Sequence, residues 1–495
     1  MTVLGVQLVL SLVMFSFLHK LGPYYSFGRW LLCKRLVRYL HPSDEELKKA
    51  AGISHNQNGK SRNKKYDKRG GGKVNNQSET FTVPRSTDLH LDTATVEAID
   101  LVQLHFYPDF QWLMEFSVCA LVVYIITEVY YAFLPRNELN ISILWCLLVI
   151  VFCFRILMSQ AAVYFRSEEG GERILCVTFG FFFLVLAMGI LVVDESILEF
   201  GLQSGYNNFS EGAESFLKKQ GIDSQGPISL MTFKIVLALI CSVSGALLTF
   251  PGLRYAKVHL DTLNYVKESP FKQAVLHLNF LLPLIIILLW IKPIGREIIC
   301  AKHWQVHFKL LTEEVFEIAR LGLIALLFVI RIVLMPPHMQ AHLNLAYEHV
   351  QRMKRETGRI SNIDLQRMIA RVFYYLCVVA LQYILPCVLL LFMMFLQKTL
   401  GDYNWSDLLG ESVSNYFSEK HSNTYNKLNL VAGKSTGDTI SDTTAQFTWA
   451  IANLRQVFSP TWYRGLFAFL TWWMTTSWFI STTFGIYYYS RVATQ

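Results

Sequence analysis

An all-α, polytopic transmembrane helical bundle of about nine spans is the fold that this sequence predicts, on three observations. Some nine stretches of roughly 17 to 25 mostly apolar residues recur along the 495-residue chain, and a bilayer core takes about 20 such residues to cross as a helix. Hydrophobic residues make up 53% and charged ones 17%, with a mean hydropathy of +0.33, a balance too apolar for an ordinary soluble domain. Lys and Arg collect in alternate connecting segments, as they do in cytoplasmic loops, because basic segments resist translocation.

The spans run Val3 to Leu18, Trp112 to Phe133, Ile141 to Leu157, Ile174 to Val193, Met231 to Phe250, Val275 to Ile291, Phe316 to Met335, Val372 to Leu396 and Leu466 to Ser490. They divide the chain into a signal-anchor or signal peptide over 1–19, a basic and partly disordered segment over 20–111, and a membrane region of seven spans over 112–396. A polar outside loop over 397–465 and a last span with a short tail over 466–495 complete it. Between Lys20 and Gln111 there are 15 Lys/Arg against 10 Asp/Glu, and no positive charge precedes the first span. That asymmetry predicts an uncleaved anchor with its N-terminus outside; a cleaved signal leaves eight spans instead. Alternate threading places 29 Lys/Arg inside and 13 outside.

The net charge of +8 does not indicate nucleic acid, because the basic residues lie between lipid spans, where anionic headgroups are the nearer partner. Seven of the nine cysteines lie within spans, and Cys33 and Cys300 fall on opposite sides, so no disulfide framework is legible. On the outside, the sequons at Asn208 and Asn404 are glycosylation candidates, whereas that at Asn140 abuts a span. Residues 52–80 and 402–445 are too polar to offset the entropy of ordering.

Within the inside segment after Pro336-Pro337, Met339, Leu343, Ala346, Val350 and Met353 recur at helical spacing. They predict an amphipathic basic helix over 338–357 carrying Arg352, Lys354 and Arg355, which docks on the protein's own bundle, the headgroup plane or a partner. Gly358 stops it, and Ser361 with Asp364 starts the next helix.

Ionisable groups inside spans are the sharpest functional signal in a membrane sequence, each costing about 2.5 to 3.5 kcal/mol at a helix centre. Four stand out: Glu128, Lys234, Arg320 and Arg331. Glu128 is expected to pair with Lys234 or Arg320, to serve in conduction or proton relay, or to face water. Arg320 and Arg331, three turns apart, share a helix face. Gly180, Gly189, Cys241, Gly245 and Thr249 suit close helix approach. The hydroxyls and indoles around Trp472-Trp473 offer polar bonds to neighbouring helices, and Trp112, Trp290 and Trp462 suit an interfacial belt.

No catalytic template fits. His-Glu-x-x-His and Gly-x-Ser-x-Gly are absent from the sequence, and Gly433-Lys-Ser435 lacks the earlier glycine of a phosphate loop, holding Leu428 there. His338 and His342 have no acidic or cysteine ligand beside them and are expected to be solvated or to face headgroups. No enzyme, cofactor or metal is predicted.

The strings Arg29-Trp-Leu-Leu-Cys33, Thr127-Glu-Val-Tyr-Tyr131, Gly170-Gly-Glu-Arg173, Leu248-Thr-Phe-Pro-Gly-Leu-Arg254, Gly358-Arg-Ile-Ser361, Arg371-Val-Phe-Tyr-Tyr-Leu-Cys377, Lys398-Thr-Leu-Gly401 and Leu470-Thr-Trp-Trp473 resemble those of the transmembrane protein 161 family over nearly the full length. The resemblance implies a multi-pass protein without known catalysis, associated with regulation of ion currents and heart rhythm and with protection against oxidant stress. It brings no functional residue. Relatives can carry a sequon after the cysteine matching Cys33, where this chain has Lys34-Arg35; an outside location there is the ground for the eight-span alternative. The expected partners are membrane lipids and an ion channel or other membrane protein, in the plasma membrane or an endomembrane. Transport in its own right and lipid-handling catalysis are the alternatives.

Overall fold

The computed structural model describes residues 5–22, 24–33, 35–52, 80–133, 140–166, 171–219, 228–300, 313–403 and 457–492. The polar stretches 52–80 and 402–445, the sequon at Asn404 and Gly433-Lys-Ser435 lie almost wholly outside these residues. The chain forms two compact units. One comprises Met1–Gly28, Pro108–Met335 and Ala380–Gln495, the other Arg29–Tyr107 and Pro336–Val379.

The larger unit is an all-α bundle. Its long elements are α1 (Gly5–Leu21), α5 (Tyr107–Phe133), α6 (Ser142–Arg166), α7 (Gly171–Val192), α9 (Leu230–Tyr265), α10 (Pro270–Leu288), α12 (Glu313–Arg355), α14 (Leu376–Leu400) and α15 (Pro460–Val492), with α8 (Leu202–Lys219) and α11 (Arg296–Cys300) between them. Among the described residues seven helical runs are long and apolar enough to cross a membrane: α5, α6, α7, α9, α10, α12 and the run Asn362–Leu400 that contains α14. The other two expected spans differ. The helix α1 has 17 residues. The helix α15 has 33, but many are Trp, Tyr, Thr and Ser, and protein rather than lipid buries Thr471, Trp473, Thr475, Ser477 and Trp478.

Lipid-facing and enclosed helices separate by pattern. On α7, Ile174, Phe181, Val185, Met188 and Val192 are exposed, an apolar face suited to lipid. In contrast α14 is buried at every residue from Ala380 to Leu396, a position that suits a helix apolar on all faces. The helices α9 and α15 approach closely because glycine sits at the crossing. A Cβ at Gly252 would come 2.6 Å from Ser481 Cβ, and one at Gly485 would come 2.7 Å from Ala256 Cβ.

Small residues act elsewhere too, though not uniformly. Gly245 accommodates the Phe183 ring and Gly180 faces Ala246, whereas nothing lies within 4 Å of a Cβ at Gly189. The hydroxyls of α15 turn inward on their own helix: Thr475 Oγ1, Ser481 Oγ and Thr482 Oγ1 donate to the carbonyls of Thr471, Ser477 and Trp478. The indoles make the cross-helix bonds, Trp472 Nε1 to Ile287 O at 3.2 Å and Trp473 Nε1 to Cys241 O at 2.9 Å. Of the expected belt, only Trp112 is exposed; Trp290 and Trp462 are buried.

The smaller unit contains α2 (Phe27–Leu32), α3 (Asp44–Ala50), α4 (Ala98–Val102) and α13 (Asn362–Tyr374), the C-terminal part of α12, and four three-residue strands. These are β1 (Val37–Tyr39), β2 (Thr82–Pro84), β3 (Thr93–Thr95) and β4 (Arg359–Ser361). The strands β1 and β3 pair antiparallel with Val37 opposite Thr95, and β2 and β4 with Val83 opposite Ile360. Here the structure corrects the reading of 338–357 as a helix separate from the span that ends at Met335. Pro336 and Pro337 lie inside one 43-residue helix, α12.

An interior proline costs about 3 kcal/mol, and Met335, His338 and Met339 beside the pair are fully buried. The apolar stripe is core: Ala346, Val350 and Met353 pack with Leu47, Val83, Leu89, Leu91, Leu365 and Ile369. His338 and His342 are buried rather than solvated, and His342 Nε2 lies 3.1 Å from Val372 O. Ser361 caps α13 by accepting from the Asp364 amide, and Gly358 holds φ +114°, a conformation that suits glycine.

Candidate functional site

The apolar run Leu327-Phe-Val-Ile-Arg331-Ile-Val-Leu-Met335 carries a guanidinium into the interior of the larger unit. Arg331 is 1% exposed. Its guanidinium carbon lies 3.7 Å from the centroid of the Tyr255 ring on α9, 4.6 Å from Trp478 on α15 and 5.4 Å from Tyr383 on α14. Tyr383 donates its hydroxyl proton to the Arg331 carbonyl at 3.1 Å. The cage extends through Tyr255, whose hydroxyl receives Asn279 Nδ2 at 3.2 Å and lies 3.4 Å from His259 Nδ1.

Among the described residues no carboxylate pairs with Arg331, and its Nε and Nη1, the Trp478 Nε1 and the Asn279 Oδ1 have no hydrogen-bond partner. Burying an isolated ion costs several kcal/mol, and a desolvated cation–π contact returns about 2 kcal/mol. Three rings, two of them also hydrogen-bonded to the guanidinium through their hydroxyls, therefore make the charge tolerable while leaving Nε and Nη1 without acceptors. Each helix that supplies Arg331, Tyr255, Tyr383 or Asn279 also carries a proline within five residues, at Pro336, Pro251, Pro386 and Pro283 respectively. Proline removes an i to i−4 bond, so the backbone around the cage is locally released in all four.

Arg320, on the same helix, behaves differently. It is ion-paired with Glu317 one turn away, and its guanidinium carbon lies 4.9 Å from the Trp290 ring centroid and 5.0 Å from that of Phe316. Glu317 also binds Arg296 at 2.6 Å, and Arg296 binds Glu199 at 2.8 Å. Tyr403 donates to Glu317 at 3.4 Å, while Arg464 lies 4.4 Å from the Tyr403 ring centroid and donates to the Gly401 and Asp402 carbonyls. Burial pushes the Tyr403 phenol up to about 12, with the Glu317 carboxylate adding to the rise. Burial likewise raises Glu199 above the ordinary carboxylate range, against the opposing pull of Arg296.

The expected partners of Glu128 are corrected. Glu128 pairs with Lys398 of α14. Arg320 is already held by Glu317, and Lys234 is half-buried without an ion pair among the described residues. Lys398 was missed because it stands at the polar end of a span, where a lysine ordinarily reaches for water. Tyr255, Tyr383 and Trp478 carried no sequence signal that set them apart from other aromatics in spans.

On the smaller unit, Lys354 is paired with Asp88 and holds that carboxyl below its usual range by a side-chain hydrogen bond. Glu356 is paired with Arg85, and Arg352 and Arg355 are exposed. Asn208 is exposed on α8. Asn140 caps its own helix, its side-chain oxygen accepting from the Ser142 amide at 3.0 Å.

The family described as predicted transmembrane protein 161AB matches residues 2–493. No solved structure matches the chain.

Proposed function

The chain belongs to the predicted transmembrane protein 161AB family, and from that membership we propose a non-enzymatic regulator of ion currents, and so of membrane excitability and heart rhythm, or of the cellular response to oxidants. The observation that supports regulation over conduction is α14. A conduction path needs polar side chains or carbonyls lining a route through the bilayer, and the helix most enclosed in the larger unit is buried and almost wholly apolar from Ala380 to Leu396. Regulation then works through outer surfaces, with membrane lipids and an ion channel or other membrane protein as partners. The exposed Arg352 and Arg355, beside the Asp88-paired Lys354, form the basic end that meets anionic headgroups or the partner, at about 1 kcal/mol for each exposed charge near the surface.

A second reading, transport in its own right, draws on the buried charge of Arg331. Whole-cell currents after depletion and re-expression test the first. Depletion should change the currents, and wild-type protein should restore them. A variant with Arg352, Lys354 and Arg355 changed to Gln should not, at matched surface abundance. Currents unchanged on depletion would contradict the regulatory reading.

A further inference from the structure

We propose that the Arg331 cage is a binding site for a small monovalent inorganic anion of the halide type. The guanidinium is 1% exposed, and among the described residues no carboxylate neutralises it. Its Nε and Nη1 hydrogens point to no protein acceptor, and the indole N–H of Trp478 has none either. The Trp478 ring centroid lies 4.6 Å from the guanidinium carbon. Donors in surplus around one buried positive charge specify a ligand that accepts hydrogen bonds from several directions and carries a single negative charge.

Tyr255, Tyr383 and Trp478 close around the guanidinium, so the ligand proposed at this depth is a small ion and not a lipid phosphate with its glycerol. Nearby, Tyr255 already serves Asn279 and His259, the Tyr383 hydroxyl donates to the Arg331 carbonyl, and both tyrosines also hydrogen-bond the Arg331 side chain. The donors left for a ligand are therefore Nε and Nη1 of Arg331 and the indole N–H of Trp478.

The test uses the full chain, purified and placed in nanodiscs of zwitterionic lipid, with thermal unfolding followed as sodium chloride or bromide replaces sodium gluconate at constant ionic strength. The proposal predicts a saturable rise in the unfolding midpoint with either halide and none with gluconate. Trp478→Phe keeps a ring face over the guanidinium and removes only the N–H. It should fold and raise the halide concentration needed for half-effect by at least about tenfold, the loss of one hydrogen bond to a charged group. Arg331→Met should abolish the halide dependence.

Equal midpoints in chloride and gluconate overturn the proposal. So does a halide titration in Trp478→Phe identical to that of the wild type, which places the effect elsewhere and holds even if Arg331→Met does not fold. Stabilisation by anionic lipid in gluconate, with no halide effect, assigns the site to a headgroup and overturns the small-ion assignment. Because purified protein is measured, this result is separable from the regulatory reading, which is read in cellular currents.

Discussion

Lys398 and Glu128 form an ion pair between α14 and α5, with side-chain exposures of 3% and 17%. They stand 270 positions apart in sequence, so their meeting reflects how two helices pack and not a local motif. Removing one partner of a buried pair strands the other charge, at about 3 to 5 kcal/mol. Glu128→Ala and Lys398→Met should each lower the unfolding midpoint and folded yield of purified protein, and the double variant should recover part of the loss. Full stability in either single variant would show that the pair is not holding the helices.

Glycine at the α9–α15 crossing gives a second prediction. An alanine Cβ at Gly252 would meet Ser481 Cβ at 2.6 Å and the Thr482 amide at 3.1 Å, whereas nothing lies within 4 Å of one at Gly189. Overpacking costs about 1 to 3 kcal/mol, so Gly252→Ala should be destabilised by that amount. Gly189→Ala should match or slightly exceed the wild type, since alanine is the better helix former. Equal midpoints for the two variants would place the close approach elsewhere.

Glu317 joins Arg296 and Arg320 and accepts from Tyr403. Glu317→Gln should cost about 1.5 to 3 kcal/mol, the worth of hydrogen bonds to charged groups. It should also let the Tyr403 phenol ionise more readily, because the carboxylate helps to hold it up. Ultraviolet titration of tyrosinate reads the second effect; a Tyr403 absorbance step unmoved in the variant contradicts the contact.

The Asp88–Lys354 contact carries a pH sign. The carboxyl titrates lower in the folded chain than when unfolded, so the stability it supplies is present above the unfolded value and is lost as pH falls through the folded one. Between neutral pH and pH about 3, the wild type should lose more stability than Asp88→Asn. Parallel pH curves for the two proteins would remove Asp88 from the account.

The membrane character and the apolar helices were legible because length and hydropathy are local properties, and Arg320 and Arg331 were legible because a charge in an apolar run is conspicuous by itself. The partners were not. Lys398 sits where a lysine ordinarily reaches water, and Tyr255, Tyr383 and Trp478 become a cage only when three distant helices converge on Arg331. The smaller unit escaped notice because its strands are three residues long, too short for an alternating pattern. Its core also borrows the stripe of α12, which by itself looks like a surface helix. A span ending at Met335 and a helix over 338–357 read as two elements on either side of Pro336-Pro337, because nothing local in the sequence shows that one continuous helix runs through the pair.

A bundle that regulates without conducting should carry no ion flux of its own, and purified full chain in sealed liposomes shows whether it does. With potassium, sodium and chloride gradients imposed in turn, flux should equal that of protein-free liposomes, including in samples where halide stabilises the protein. Flux that scales with protein content and falls in Arg331→Met would contradict it and make the chain a transporter or channel in its own right.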